Sequence, residues 1–124
     1  MRTIYDRSQL NDLAFSNSKE FLTVAAKGNY AAGTIAGCNT RKYHGLVVAL
    51  QPQLDEDHHV LLAGVDETVI HGDQTLDLGI HKYPNVFAPD GPQYMASFTP
   101  LPIPSWTFES GEILLTKSLQ MDDE

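Results

Sequence analysis

The sequence has a single cysteine, a single tryptophan, half as many basic as acidic residues and no long apolar run. Each scarcity removes a class of protein. With Cys38 alone, no intrachain disulfide can form, and nothing suggests a disulfide-stapled secreted scaffold. Eight Lys and Arg against sixteen Asp and Glu give a formal charge of -8. That balance repels phosphate backbones, so no nucleic-acid partner is expected. The apolar runs fall far short of the ~20 residues that a membrane span needs. The opening stretch "MRTIYDRSQLNDLAF" carries scattered charges and lacks the apolar region of a signal peptide. No membrane partner is expected, and a cytoplasmic location is the default expectation.

What is present is dense punctuation. Nine glycines and seven prolines in 124 residues cut the chain into short segments, which favours strands over helices. The length suits one domain and can bury roughly two-thirds of its unfolded surface. Residues 1–19 read as an arm, helical or irregular, because Leu10, Leu13 and Ala14 have helical spacing. From Glu20 to Glu124 the spacing predicts an all-β, antiparallel β-sandwich. "EFLTVAA" and "YAAGTIAG" flank a turn at Lys27-Gly28-Asn29, and "YHGLVVAL" precedes the acidic loop "QPQLDEDH". "HVLLAGVDETVI" and "TLDLGIHKY" flank His71-Gly72-Asp73-Gln74. A proline-rich crossing, "NVFAPDGPQ" through "TPLPIP", is expected to break the regular pattern, and a last hairpin turns around Ser110-Gly111.

Read as one ideal strand, Leu61 to Ile70 places Glu67 on a face with Leu61, Ala63, Val65 and Val69. A buried carboxylate there has to be paired, hydrogen-bonded or protonated. Arg41 and Lys42 are the partners the sequence offers. Leu46 to Leu50 is apolar on both faces, the pattern of a central strand covered on each side. Something outside this chain could provide part of that cover.

The candidates for chemistry thin out under inspection. His44, His58, His59, His71 and His81 lack any metal-ligand spacing, so no metal is expected. Cys38 has His44 near it in sequence, but no third group orients a base. "GNYAAGT" lacks the Gly-Lys-Ser/Thr ending of a phosphate loop, and there is no GxSxG elbow. Tyr30, Tyr43, Tyr83, Tyr94, Trp106 and Phe108 could stack on sugars, although packing in a β core is the commoner use of such area. Asp55-Glu56-Asp57 reads as a solvated loop. The stretch "GCNTRKYHGLVVAL" stands out, since it sets Asn39, Arg41, Tyr43 and His44 directly ahead of an apolar strand. Asn39 and Thr40 can cap a turn, and the planar fork of Arg41 suits a carboxylate or vicinal hydroxyls.

"GNYAAGTIAGCNTRKYHGLVVAL", "HHVLLAGVDETVI", "LDLGIHKYPNVFAPDGPQYMASF" and "PSWTFESGEILLTKSL" together resemble the N-terminal domain of bacterial and archaeal glycogen debranching enzymes of the amylo-α-1,6-glucosidase type. The resemblance runs from about Glu20 to Leu119, and the string at residues 39–46 is its most specific part. It implies a supersandwich-like β-sandwich followed, in the whole enzyme, by a large α/α-barrel that hydrolyses the α-1,6 branch linkage. These 124 residues have no room for that barrel, so no catalytic residue is carried over and Asp66 and Glu67 are not promoted to catalysts. The implied partners are the C-terminal catalytic domain of the same enzyme and an α-glucan resembling glycogen. No cofactor is implied, because carboxylates suffice for glycoside hydrolysis. Asn39, Arg41, Tyr43 and His44 are expected at the domain junction near bound glucan. A stand-alone carbohydrate-binding β-sandwich is the alternative, distinguished by appreciable affinity for maltooligosaccharides.

Overall fold

Two aspartates start the chain's helical turns. Asp6, at the end of strand β1 (Tyr5–Asp6), caps α1 (Arg7–Leu10) in a capping box. Its carboxylate accepts from Gln9 N at 3.2 Å while the Gln9 side chain accepts from Asp6 N at 3.2 Å. Asp12 caps α2 (Leu13–Ser16) with its carboxylate alone, accepting from Ala14 N and Phe15 N. Each helix is a single turn, too short to persist without tertiary contacts. Leu10 supplies one of them, fully buried in the core. The computed structural model of the chain describes residues 5–25, 28–42, 44–50, 58–83, 86–100 and 102–121. Tyr43 and the Asp55-Glu56-Asp57 run lie outside the described residues.

The strands are β2 (Glu20–Val24), β3 (Tyr30–Thr34), β4 (Gly45–Leu50), β5 (His58–Leu62), β6 (Thr68–His71), β7 (Gln74–Asp77), β8 (His81–Tyr83), β9 (Val86–Ala88), β10 (Met95–Thr99), β11 (Ser105–Ser110) and β12 (Ile113–Ser118). They build one sheet in the order β1-β10-β11-β12 and another in the order β2-β3-β4-β5. Two hairpins, β6-β7 and β8-β9, complete the set. Every pairing is antiparallel. The chain is therefore an all-β sandwich with a small helical lead-in, as its punctuation predicts. Gly72 and Gly111 have φ of +60° and +59° and begin the two-residue turns of β6-β7 and β11-β12.

The core lies between the two four-stranded sheets. Phe21 of β2 meets Trp106 of β11 edge-on, with ring centroids 5.1 Å apart at 90°. Phe98 of β10 packs on the same indole at 5.2 Å. Trp106 Nε1 donates to Ile35 O at 2.9 Å, a buried bond that ties one sheet to the chain leaving the other. Burying each such ring contributes about 1.5–3 kcal/mol.

Two expectations fail here. Leu61 to Ile70 is not one strand: β5 ends at Leu62, residues 63–67 belong to no element, and β6 begins at Thr68. The strict alternation is lost, so Leu61 and Val65 are exposed rather than sharing a buried face with Glu67. The proline-rich crossing also contains regular structure. Gly91 to Tyr94 form a 3-10 turn with Pro92 in its first turn, where a missing N–H costs nothing, and β10 follows as an interior strand of its sheet.

Candidate functional site

The polar string ahead of β4 closes on His44. Its side chain is only 3% exposed. Nδ1 accepts from Thr40 N at 2.9 Å and Arg41 N at 3.2 Å, while Nε2 lies 2.6 Å from Glu20 Oε1. Two donors on Nδ1 require a lone pair there, so the ring proton sits on Nε2 and is given to Glu20. Arg41 Nε donates to the same Glu20 oxygen at 2.8 Å, with its side chain 71% exposed. His44 Nε2–H, and after it Arg41, hold the Glu20 carboxyl below its ordinary value of 4.5 despite some desolvation. Asn39 Nδ2 donates to Ala63 O at 2.9 Å and fastens the loop to the segment after β5.

This is the answer to the composition of that stretch. A tight turn leaves backbone N–H groups without ladder partners, and His44 satisfies two of them from inside the turn. Just upstream, Thr34 Oγ1 donates to Cys38 O at 2.8 Å and accepts from Cys38 N at 3.1 Å. Cys38 is buried in a small apolar cluster with Ala36 and Ile80. The sequence-predicted residues Asn39, Arg41 and His44 are thus brought into one construction, anchored by Glu20. Nothing in the spacing pointed to Glu20. Its position on β2, opposite Thr34 of β3, is a product of sheet register.

Glu67 falls elsewhere. It is half-buried and pairs with Lys117 Nζ at 2.7 Å, while Arg41, one of the partners offered for it, engages Glu20. Lys117 is the functional-looking residue that reading by motif missed. It stands opposite Trp106 in register, on the face of β12 that also carries Ile113 and Leu115. Its ammonium lies 5.0 Å from the Trp106 ring centroid and 5.6 Å from that of Phe108. Beside it, Asp66 meets His81 Nε2 at 2.7 Å. Asp66, Glu67 and Lys117 border a cavity of about 240 Å³ between the sheets, floored by Phe21, Ile35, Leu78 and Trp106. Trp106 and Phe108 are each 4% exposed and so pack in the core rather than offering open faces.

The outer face of the second sheet is apolar. Register places Leu22, Val24, Tyr30, Ala32, Gly45, Val48 and Val60 together on it. Leu22 is 62% and Val24 58% exposed, while Val48 is fully buried among its neighbours. Gly45 is glycine for want of room: a β-carbon there would stand 2.7 Å from Val60 Cγ1 and 3.1 Å from Leu62 O. Glu20 shares this face with Leu22 and Val24, so the His44 clamp lies at its edge.

His71 is exposed and His59 half-buried, and no group of three metal-ligating side chains forms among the described residues. Among those residues, too, no helix is long and apolar enough to cross a membrane. No match emerges among curated proteins or solved structures. The family model described as "Glycogen debranching enzyme N terminal" matches residues 19–124. That match spans both four-stranded sheets apart from β1, the His44 clamp and the Lys117 cavity, and the chain belongs to the family of glycogen debranching enzyme N-terminal domains.

Proposed function

We propose that this chain is a non-catalytic domain that packs on the α-1,6-glucosidase domain of its enzyme and shapes one side of the glucan cleft. The observation that carries this reading is the exposed apolar face of the second sheet with a charged clamp at its edge. An apolar centre with a polar rim is the usual anatomy of a protein interface. Leu22, Val24 and Val60 form the centre, and Arg41 stands at the rim with most of its guanidinium free for a carboxylate or for vicinal hydroxyls. β4 itself, with Val48 and Ala49 buried on its two faces, is covered within this chain, so the open part of the face is Leu22, Val24 and Val60. A membrane or nucleic-acid role has no support in a chain of charge -8.

The test uses the enzyme carrying both domains. Leu22→Glu combined with Val60→Glu is expected to lower its thermal midpoint by about 4 °C or more and to expose the domain junction to proteolysis. The same changes should leave the 124-residue chain by itself nearly as stable, because both side chains already face solvent. Arg41→Ala should reduce glucan affinity or turnover with little loss of stability. An enzyme unmoved in stability by the double change, and in affinity and turnover by the Arg41 change, would remove this reading.

A further inference from the structure

We propose that the cavity between the sheets, bordered by Glu67 and Lys117, binds one neutral polyhydroxylated six-membered ring. Four observations lead there. The first is the position of Lys117, a lysine on the inward face of β12 in line with Ile113 and Leu115. Its stem packs with them while Glu67 and the two ring faces hold its ammonium at the cavity, so an otherwise apolar wall carries a hydrogen-bond donor.

The second is size. About 240 Å³ is below the range of pockets for drug-sized ligands and holds roughly eight waters at ~30 Å³ each. One ring fits inside, so the second ring of a disaccharide has to extend out of the cavity. The third is charge. The cation position over Trp106 and Phe108 is already taken by Lys117 itself, so a cationic ligand finds its site filled. Anions are disfavoured by Asp66 and Glu67 at the rim and by the net charge of -8. A neutral ligand remains.

The fourth is the pattern of polar groups. Glu67 Oε1 and Lys117 Nζ are 2.7 Å apart, which places an acceptor and a donor side by side. Vicinal hydroxyls can donate to the first and accept from the second. Asn39 spends its Nδ2 on Ala63 O, and its Oδ1 lies against Gly33 in the cavity wall, 3.6 Å from where a β-carbon would stand. Trp106 Nε1 is committed to Ile35 O, so the indole adds apolar surface and no donor. An apolar floor with an alternating donor and acceptor rim suits a ring with one C–H face and a belt of hydroxyls. The choice of a glucosyl unit among such rings rests on the functional reading above.

Trp106 is the only tryptophan in the chain, so its fluorescence reports on the cavity directly. Titration of the protein with glucose and maltose is expected to give a saturable change, and cyclohexanol, a ring with a single hydroxyl, is expected to give none. Lys117→Met keeps the stem over the indole and removes the donor; Glu67→Gln keeps the shape and removes the charge. Each should weaken glucose binding on the order of tenfold, with far-UV circular dichroism unchanged. No saturable response to glucose or maltose overturns the proposal, as does an equal response to cyclohexanol. A response that both variants retain does so as well. Binding of long maltooligosaccharides without any Trp106 signal would leave the interface reading standing and still overturn this one.

Discussion

His44 shows how a residue that looks chemical can be structural in its local bonding. Its three hydrogen bonds run to two backbone N–H groups and one carboxylate, and it is buried while Arg41 beside it is exposed. Alanine at this position would strand two donors in a turn, so His44→Ala is expected to cost about 2–3 kcal/mol in urea unfolding. A cost near zero would mean the turn closes without the imidazole. Glu20 gives a pH signature. Its folded value lies below 4.5, so its contribution is full above that pH and disappears as pH falls through the lowered value. Glu20→Gln should therefore be less stable than the parent near neutrality and equal to it in acid. The gap is expected to stay below about 1 kcal/mol, since the pair is partly exposed and screened. A gap that persists at low pH would point to lost packing instead of lost charge.

At the scale of elements, strands were legible wherever alternation and turn residues agreed. The β11-β12 hairpin is such a case, because "SWTFES" and "EILLTKSLQ" alternate around a glycine turn and pair without a shift. The same alternation puts Lys117 on the face of Leu115, so that signal was available and passed unnoticed. Other faces were not readable. Register shifts occur between Tyr30 and Ala32 and between Val47 and Val48, and each shift changes which side chains share a face. Residues 63–67 leave the sheet after Leu62, which is why Glu67 could not be placed by counting in twos. Glu20 joined the clamp only through the β2-β3 register. Gly45 tests the account of the second sheet. Gly45→Ala adds a methyl where Val60 and the Leu62 carbonyl leave no space, and is expected to cost about 1–3 kcal/mol. Restored stability on adding Val60→Ala would confirm that the clash is with that side chain.

For the whole molecule, an apolar outer face and a strong negative charge act against each other. Leu22 and Val24 would draw two copies together through the second sheet, since contiguous exposed apolar surface favours association. The charge of -8 on each copy opposes that approach, and salt screens the repulsion over a Debye length of ~10 Å at 0.1 M. Self-association of the 124-residue chain should therefore grow with ionic strength, the reverse of what a charge-paired interface would do. Sedimentation velocity at low and high salt reads this directly. The double change Leu22→Glu and Val24→Glu should abolish the salt-induced association while leaving the unfolding midpoint nearly unchanged. Association that survives the double change would place the sticky surface elsewhere, and with it the strongest reason for assigning this face to the catalytic domain.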